Sequence, residues 1–260
     1  MCTIFDEIKR VLKKEGTCWV NLGDTYSGSC QGSGKNIEHL SKKTMENLGS
    51  TKVYLQKYSH TINQKPPNHK TSVSPKSLCL IPERFAIEMV NRGWILRNRC
   101  VWYKRNSMPS SVKDRFSNKW EYVFFFVKNK KYYFNLDAVR KPHKISSINR
   151  INAGFSKKVL GISHDSANVH PLGGNPGDLW DITTRPHAFA HFACYPERLC
   201  EMPIKAGCPE KGIVLDPFLG SGTTAVMALK LNRKFIGIEL NQEYIEIAKK
   251  RIGEVDKKLI

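Results

Sequence analysis

The sequence predicts an α/β fold, a sheet with helices on both faces, interrupted by irregular polar insertions. Three observations carry this prediction. Residues 212–252 read as strand, glycine turn, helix, strand and helix, the alternation that builds layered α/β sheets. Two segments, 95–105 and 121–129, look like buried strands, the second strongly so. Amphipathic patterns at 3–14 and 81–94 supply helices to cover them. A single strand–helix–strand unit cannot make a stable sheet, so residues 1–129 must provide the remaining strands.

Taken in order, "TIFDEIKRVLKK" (3–14) repeats Ile4, Phe5, Ile8, Val11 and Leu12 at helical spacing. Thr3 with Asp6 predicts a capping box, and Gly16 a stop. "TCWVNLGD" (17–24) reads as a strand running into a loop. Residues 27–75 are rich in Ser, Lys, Asn, Gly and Thr and too poor in apolar positions to build core, which predicts a polar insertion. "IPERFAIEMVNRGW" (81–94) is a helix with Pro82 in its first turn, and the two strands that follow enclose a basic polar loop at 106–120. Residues 130–178 read as a second irregular region. From "PERL" (196–199) onward the order is helix, strand, glycine turn, helix, strand, helix.

Charge narrows the partners. Lys plus Arg number 42 against 23 Asp plus Glu, a formal net charge of +19, which favours a polyanion because each phosphate contact releases condensed counterions. No apolar run approaches the roughly 18 residues of a membrane span, and the N-terminus lacks a signal-peptide pattern, so a cytoplasmic protein is expected. The eight cysteines (2, 18, 30, 79, 100, 194, 200 and 208) form no CxxC pair, and the eight histidines form no metal-type ladder. Reduced, mostly buried thiols and no metal are expected.

The chemistry centres on "VLDPFLGSGTT" (214–224). Gly220 and Gly222 allow a tight turn, and the free amides of the following helix point back at it. Gly220-Ser-Gly222-Thr-Thr-Ala225 fits GxGxxA, a weak dinucleotide signal when isolated, and no Lys follows the glycines as a P-loop requires. The acids favour a third ligand, S-adenosyl-L-methionine. Asp216 at the strand tip would repel a pyrophosphate but attract the ammonium and sulfonium of this phosphate-free cofactor. Glu239, at the tip of the next strand, suits ribose hydroxyls.

"DPFLGSGTT" followed by "FIGIE" resembles the cofactor motifs of bacterial amino-group DNA methyltransferases, which modify cytosine N4 or adenine N6. "RVLKKEGTCWVNLGDTY" (10–26), "KSLCLIPERFAIEMVNRGW" (76–94), "RNSMPSSVKDRFSNKWEYVFFFVK" (105–128), "NPGDLWDI" (175–182) and the stretch 191–224 resemble further segments of that family. The order resembles its permuted class, with the cofactor motif near the C-terminus. The resemblance implies a Rossmann-like methyltransferase sheet, incomplete at its N-terminal side. Residues 1–26 and 76–129 would form the catalytic half, 27–75 an insertion, 130–178 a DNA-recognition region and 179–260 the cofactor half. It implies that Asp216, Phe218, Gly220, Ser221, Gly222 and Thr223 wrap the methionine end of S-adenosyl-L-methionine and Glu239 its ribose. Phe192, in the segment His191 to Pro196, would close over the cofactor or pack in the core. Asn21 and Asp24 would border the target-base pocket, although loop capping also explains Asp24. Lys113, Arg115 and Lys119 would contact double-stranded DNA.

The family also carries a Ser/Asp/Asn-Pro-Pro-aromatic loop, whose acceptors localise the lone pair of the target amino group while its aromatic stacks on the flipped base. "KPPN" (65–68), "NPGD" (175–178) and "SMPS" (107–110) do not match it, so no catalytic residue is identified. A truncated gene or late start site, a split enzyme completed by a separate polypeptide, a binding-only remnant and a rearranged site are each compatible with this pattern. The expected function is site-specific amino methylation of DNA, cytosine N4 ahead of adenine N6, beside a cognate restriction endonuclease. A dinucleotide oxidoreductase is a distant alternative.

Overall fold

The computed structural model describes residues 1–27, 73–107, 109–152, 170–184 and 195–259. In chain order they form α1 (Cys2–Val11), β1 (Thr17–Leu22), α2 (Ile81–Asn91), β2 (Ile95–Tyr103), β3 (Trp120–Val127), α3 (Ile145–Asn152), β4 (Leu179–Asp181), α4 (Glu197–Gly207), β5 (Ile213–Asp216), α5 (Thr223–Lys230), β6 (Lys234–Gly237) and α6 (Gln242–Leu259). A short 3-10 turn lies at Asp137–Val139. The architecture is α/β, as the sequence predicts.

Strand β3 organises the first layer. It pairs antiparallel with both β1 and β2, and β4 adds parallel to β2, giving the order β1-β3-β2-β4. Because side chains alternate across a strand, Phe124 and Phe126 pack with Phe5 of α1 and Phe85, Met89 and Trp94 in and after α2. On the opposite face Val123 joins Cys100, Trp102, Trp180, Ile182 and Leu199 of α4, while Phe125 stacks on Trp19 with ring centroids 4.1 Å apart. Helices therefore cover both faces, and fully buried aromatics supply much of the apolar area removed from water.

The glycine unit stands as a separate two-stranded parallel sheet, β5-β6. The sequence predicts strands of residues 1–129 in one sheet with this unit. Among the described residues no strand lies between β1 and β5, and each keeps one edge without a strand partner. Helix α4 bridges the two layers instead. Its Leu199 packs on the four-stranded sheet, and its Ile204 packs with Met227 and Ala228 of α5, against which Val214 and Phe235 lie. Thr17 Oγ1 on β1 donates 3.0 Å to the Gly207 carbonyl at the end of the same helix.

Three local expectations are corrected. Helix α1 starts at Cys2, so Thr3 and Asp6 lie inside it, and Met1 at the N-cap makes no side-chain capping bond. It also stops at Val11, where Leu12 turns extended, well short of Gly16. Within 130–178, Ile145–Asn152 is helical. Its isoleucines at 145, 148 and 151 share helical spacing, yet Ile145 is 76% exposed, so little burial supports the pattern that would announce it. The insertion at 27–75 falls almost wholly outside the described residues.

Candidate functional site

The turn after β5 is held by backbone and carboxylates together. Ile238 N–H donates to the Asp216 carbonyl and Leu219 N–H to the Ile238 carbonyl, each at 2.9 Å, which locks the loop onto the end of β6. Gly220 and Gly222 have φ of 54° and 82°, a region that L side chains enter only with strain. At Gly222 a Cβ would lie 3.0 Å from the Ala248 Cβ, so the turn packs directly on α6. Gly222 is then the N-cap of α5, whose first-turn amides face the loop.

Two acids frame this turn at neighbouring strand ends, since Asp216 and Gly237 are paired in register and Glu239 follows closely. Asp216 Oδ1 accepts the Phe218 N–H at 2.9 Å. Its Oδ2 lies 3.3 Å from the Tyr195 hydroxyl. Glu239 Oε2 accepts the Gly220 N–H at 2.8 Å, and Oε1 accepts those of Leu240 and Asn241. Both carboxylates are thus fixed by donors of the loops that they adjoin. Beside Glu239 a cavity of about 620 Å³ opens between β6 and α6, lined by Leu219, Gly237, Ile238, Ile245 and Ala248 among others.

Ser221 and Thr223 serve the turn itself. Arg251 of α6, only 8% exposed, donates to the Ser221 carbonyl at 2.7 Å, to Ser221 Oγ at 3.0 Å and to Thr223 Oγ1 at 3.1 Å. Phe218 is exposed beside Asp216. Phe192 lies outside the described residues.

Arg251 and Tyr195 are the residues that motif reading missed. Arg251 had a signal: it falls on the apolar stripe of Ile247, Ala248 and Val255, where a buried cation must have partners. Tyr195 sits in the segment expected to close over the cofactor, but only coordinates show its hydroxyl meeting Asp216 and Thr224. Burial pushes the Tyr195 phenol well above its ordinary range and the adjacent Cys200 thiol to about 12, so both keep their protons.

At the end of β1, Asn21 Nδ2 donates 2.9 Å to the Tyr122 carbonyl. Asp24 accepts the N–H groups of Leu80 and Ile81, capping the start of α2. The 106–120 loop rises at the same end of the sheet. There Arg115 lies over the Tyr26 ring at 3.8 Å, Lys76 pairs with Asp114, and Lys113 and Lys119 are exposed. Among the described residues no group of His, Cys, Asp and Glu could hold a metal ion, and no helix is long and apolar enough to cross a membrane.

Comparison with known proteins fits this geometry. A family model described as DNA methylase matches residues 1–250. The Type II methyltransferase M.SmaI of Serratia marcescens is 34% identical over 249 residues, covering 96% of this chain and 71% of that protein. M.Cfr9I of Citrobacter freundii is 34% identical over 260 residues, 100% of this chain and 72% of its own length. Among solved structures, the PvuII DNA methyltransferase (cytosine-N4-specific) matches with a TM-score of 0.59 at 16% identity, over 98% of this chain and 74% of that one. TTHA0409 of Thermus thermophilus, complexed with S-adenosyl-L-methionine, matches with a TM-score of 0.53 at 17% identity, over 97% and 74%. At these identities the structural likenesses establish the fold.

Proposed function

This chain belongs to the amino-group DNA methylase family, and on that premise we propose that it takes part in methylating cytosine N4 at a specific site in double-stranded DNA. Its cofactor is S-adenosyl-L-methionine, which supplies an electrophilic methyl group. The carrying observation is the glycine turn between two fixed strand-tip acids, Asp216 and Glu239. Two carboxylates at one sheet edge would repel a diphosphate but suit a cationic amino acid and a ribose diol. Asp216 would hold the ammonium, Glu239 the ribose hydroxyls, and the first-turn amides of α5 the carboxylate. Gly220 and Gly222 let the backbone approach. The apolar walls beside Glu239 offer a place for the adenine ring. Ser221 and Thr223 keep the turn in shape through Arg251.

Asn21 and Asp24 would border the flipped base, with Asp24 acting through the start of α2 that it caps. Lys113, Arg115 and Lys119 would bind phosphates, with Arg115 held in place by Tyr26. The acceptor loop of the family is not found in these 260 residues. We therefore propose that a strand from a further segment or a separate polypeptide brings it to the edges of β1 and β5 that are open among the described residues. A cognate restriction endonuclease and a cytoplasmic location complete the reading. Cytosine N4 is preferred to adenine N6 on the resemblance of the sequence segments.

The test is mass spectrometry of nucleosides from DNA incubated with the protein and S-adenosyl-L-methionine, with and without the coding region that surrounds its gene. N4-methylcytosine supports the proposal, and N6-methyladenine replaces the base. Cofactor binding without either product would leave a binding-only protein and overturn it.

A further inference from the structure

The Tyr195 hydroxyl makes two contacts, 2.6 Å to Thr224 Oγ1 and 3.3 Å to Asp216 Oδ2. It has one proton. The carboxylate can only accept, so the phenol donates to Asp216 and the Thr224 hydroxyl donates to the phenol. Asp216 then has one oxygen fixed from its own loop, by Phe218 N–H, and the other fixed from outside that loop. The Tyr195 ring belongs to another part of the molecule. It packs on the cluster of Trp102, Val123, Trp180 and Leu199, the core beneath the four-stranded sheet. Its neighbour Pro196 is the N-cap of α4, which anchors it from the other side. Burial keeps the phenol protonated across the ordinary pH range, so the donor persists wherever Asp216 is ionised.

We propose that Tyr195 is a positioning residue for the cofactor's ammonium group, holding the Asp216 carboxylate in its binding rotamer from the core of the opposite layer. The inference rests on the reading of Asp216 given above. A carboxylate fixed in advance loses no rotamer freedom when the cation arrives, which is how a residue without ligand contact strengthens binding. Thr224, in the first turn of α5, completes the chain of donors and ties the same carboxylate to the helix facing the turn.

Tyr195→Phe keeps the ring and its packing and removes the proton donor. The measurement is equilibrium binding by calorimetry of two probes, S-adenosylhomocysteine, which carries the amino-acid group, and 5′-methylthioadenosine, which lacks it. Thermal denaturation of each variant verifies folding. The expected result is about a tenfold rise in Kd for S-adenosylhomocysteine, the scale of one hydrogen bond to a charged group. The Kd for methylthioadenosine should stay within about twofold. Adding Asp216→Asn to Tyr195→Phe should weaken S-adenosylhomocysteine no further than Asp216→Asn does by itself, because the two act on one contact. A merely structural role would weaken both probes alike, and equal losses overturn the inference. Additive losses, or an unchanged Kd, overturn it as well. Wild-type protein that binds neither probe would remove the cofactor reading itself, and this inference with it.

Discussion

Replacing Arg251 by Met should unfasten the glycine turn from α6. The guanidinium is buried, and the two N–H groups of its Nη1 are shared among the Ser221 carbonyl, Ser221 Oγ and Thr223 Oγ1. Ser221 and Thr223 are themselves buried. Removing the donor takes a partner from groups held away from water, at about 1 kcal/mol for each N–H lost. The nearest carboxylate, Glu197 at 3.8 Å, is half exposed and loses little. Met recovers some apolar packing and spares the desolvation of a cation, yet breaking one side of a buried charged network costs more than it returns. The net loss should be about 2 kcal/mol, a fall in Tm of roughly 4–8 °C for a domain of this size. Differential scanning calorimetry reads it directly. Arg251→Lys keeps the charge but not the fork, and should fall between wild type and Arg251→Met. A Tm within about 2 °C of wild type for Arg251→Met would show that the turn holds itself and that the buried cation is incidental.

The remaining expectations follow from single features. Gly222→Ala forces an L residue to φ of 82° and a Cβ against Ala248. It should cost about 2 kcal/mol in urea unfolding, and Ala248→Gly should restore part of that; no loss would refute the close packing. Burial raises the Cys18 and Cys100 thiols from 9.0 to about 12. The unfolded chain therefore releases these protons first, and the thiols' contribution to stability should be level below pH 9 and fall between 9 and 12. Cys18→Ala should flatten that decline in pH-dependent urea titrations, whereas an unchanged slope would clear this thiol of the effect. Arg115→Ala should weaken DNA binding for all sequences and reduce the salt slope of log K by about 1. Fluorescence anisotropy across a salt series checks this, and an unchanged slope would exclude a phosphate contact.

The sequence made the strongest local patterns legible and left the tertiary choices hidden. "EYVFFFVKN" announces β3 because five consecutive buried residues, Val123 to Val127, have no other home. The unit from β5 to β6 is legible because glycine positions and strand-tip acids are dictated by local backbone geometry. Strand β4 was not, since three residues make a strand only through their pairing with β2. The capping box of Thr3 and Asp6 failed because the helix begins two residues earlier, with Met1 at the N-cap, which places Thr3 inside it. In the site, Asp216 and Glu239 stand where the motif put them. What holds them is partly local, the N–H groups of Phe218, Leu240 and Asn241, and partly distant, Tyr195 for Asp216 and Gly220 for Glu239, which no spacing rule connects. Which strand edges meet is likewise decided by the whole chain.

The edges of β1 and β5, open among the described residues, also bear on how the protein behaves in bulk. An unpaired strand margin is a row of amide and carbonyl groups able to nucleate pairing with any extended chain, including another copy. Here the margins are short, six residues on β1 and four on β5. The β5-β6 unit also carries exposed apolar side chains, Ile213, Phe218 and Ile236. Each contact between copies is consequently weak, and turbidity will grow with concentration rather than appear at once. A high net charge of +19 opposes this by mutual repulsion, so added salt, which screens that repulsion, will bring the chain out of solution sooner. A strand that seats in those margins will therefore act as a solubility factor as well as a structural one.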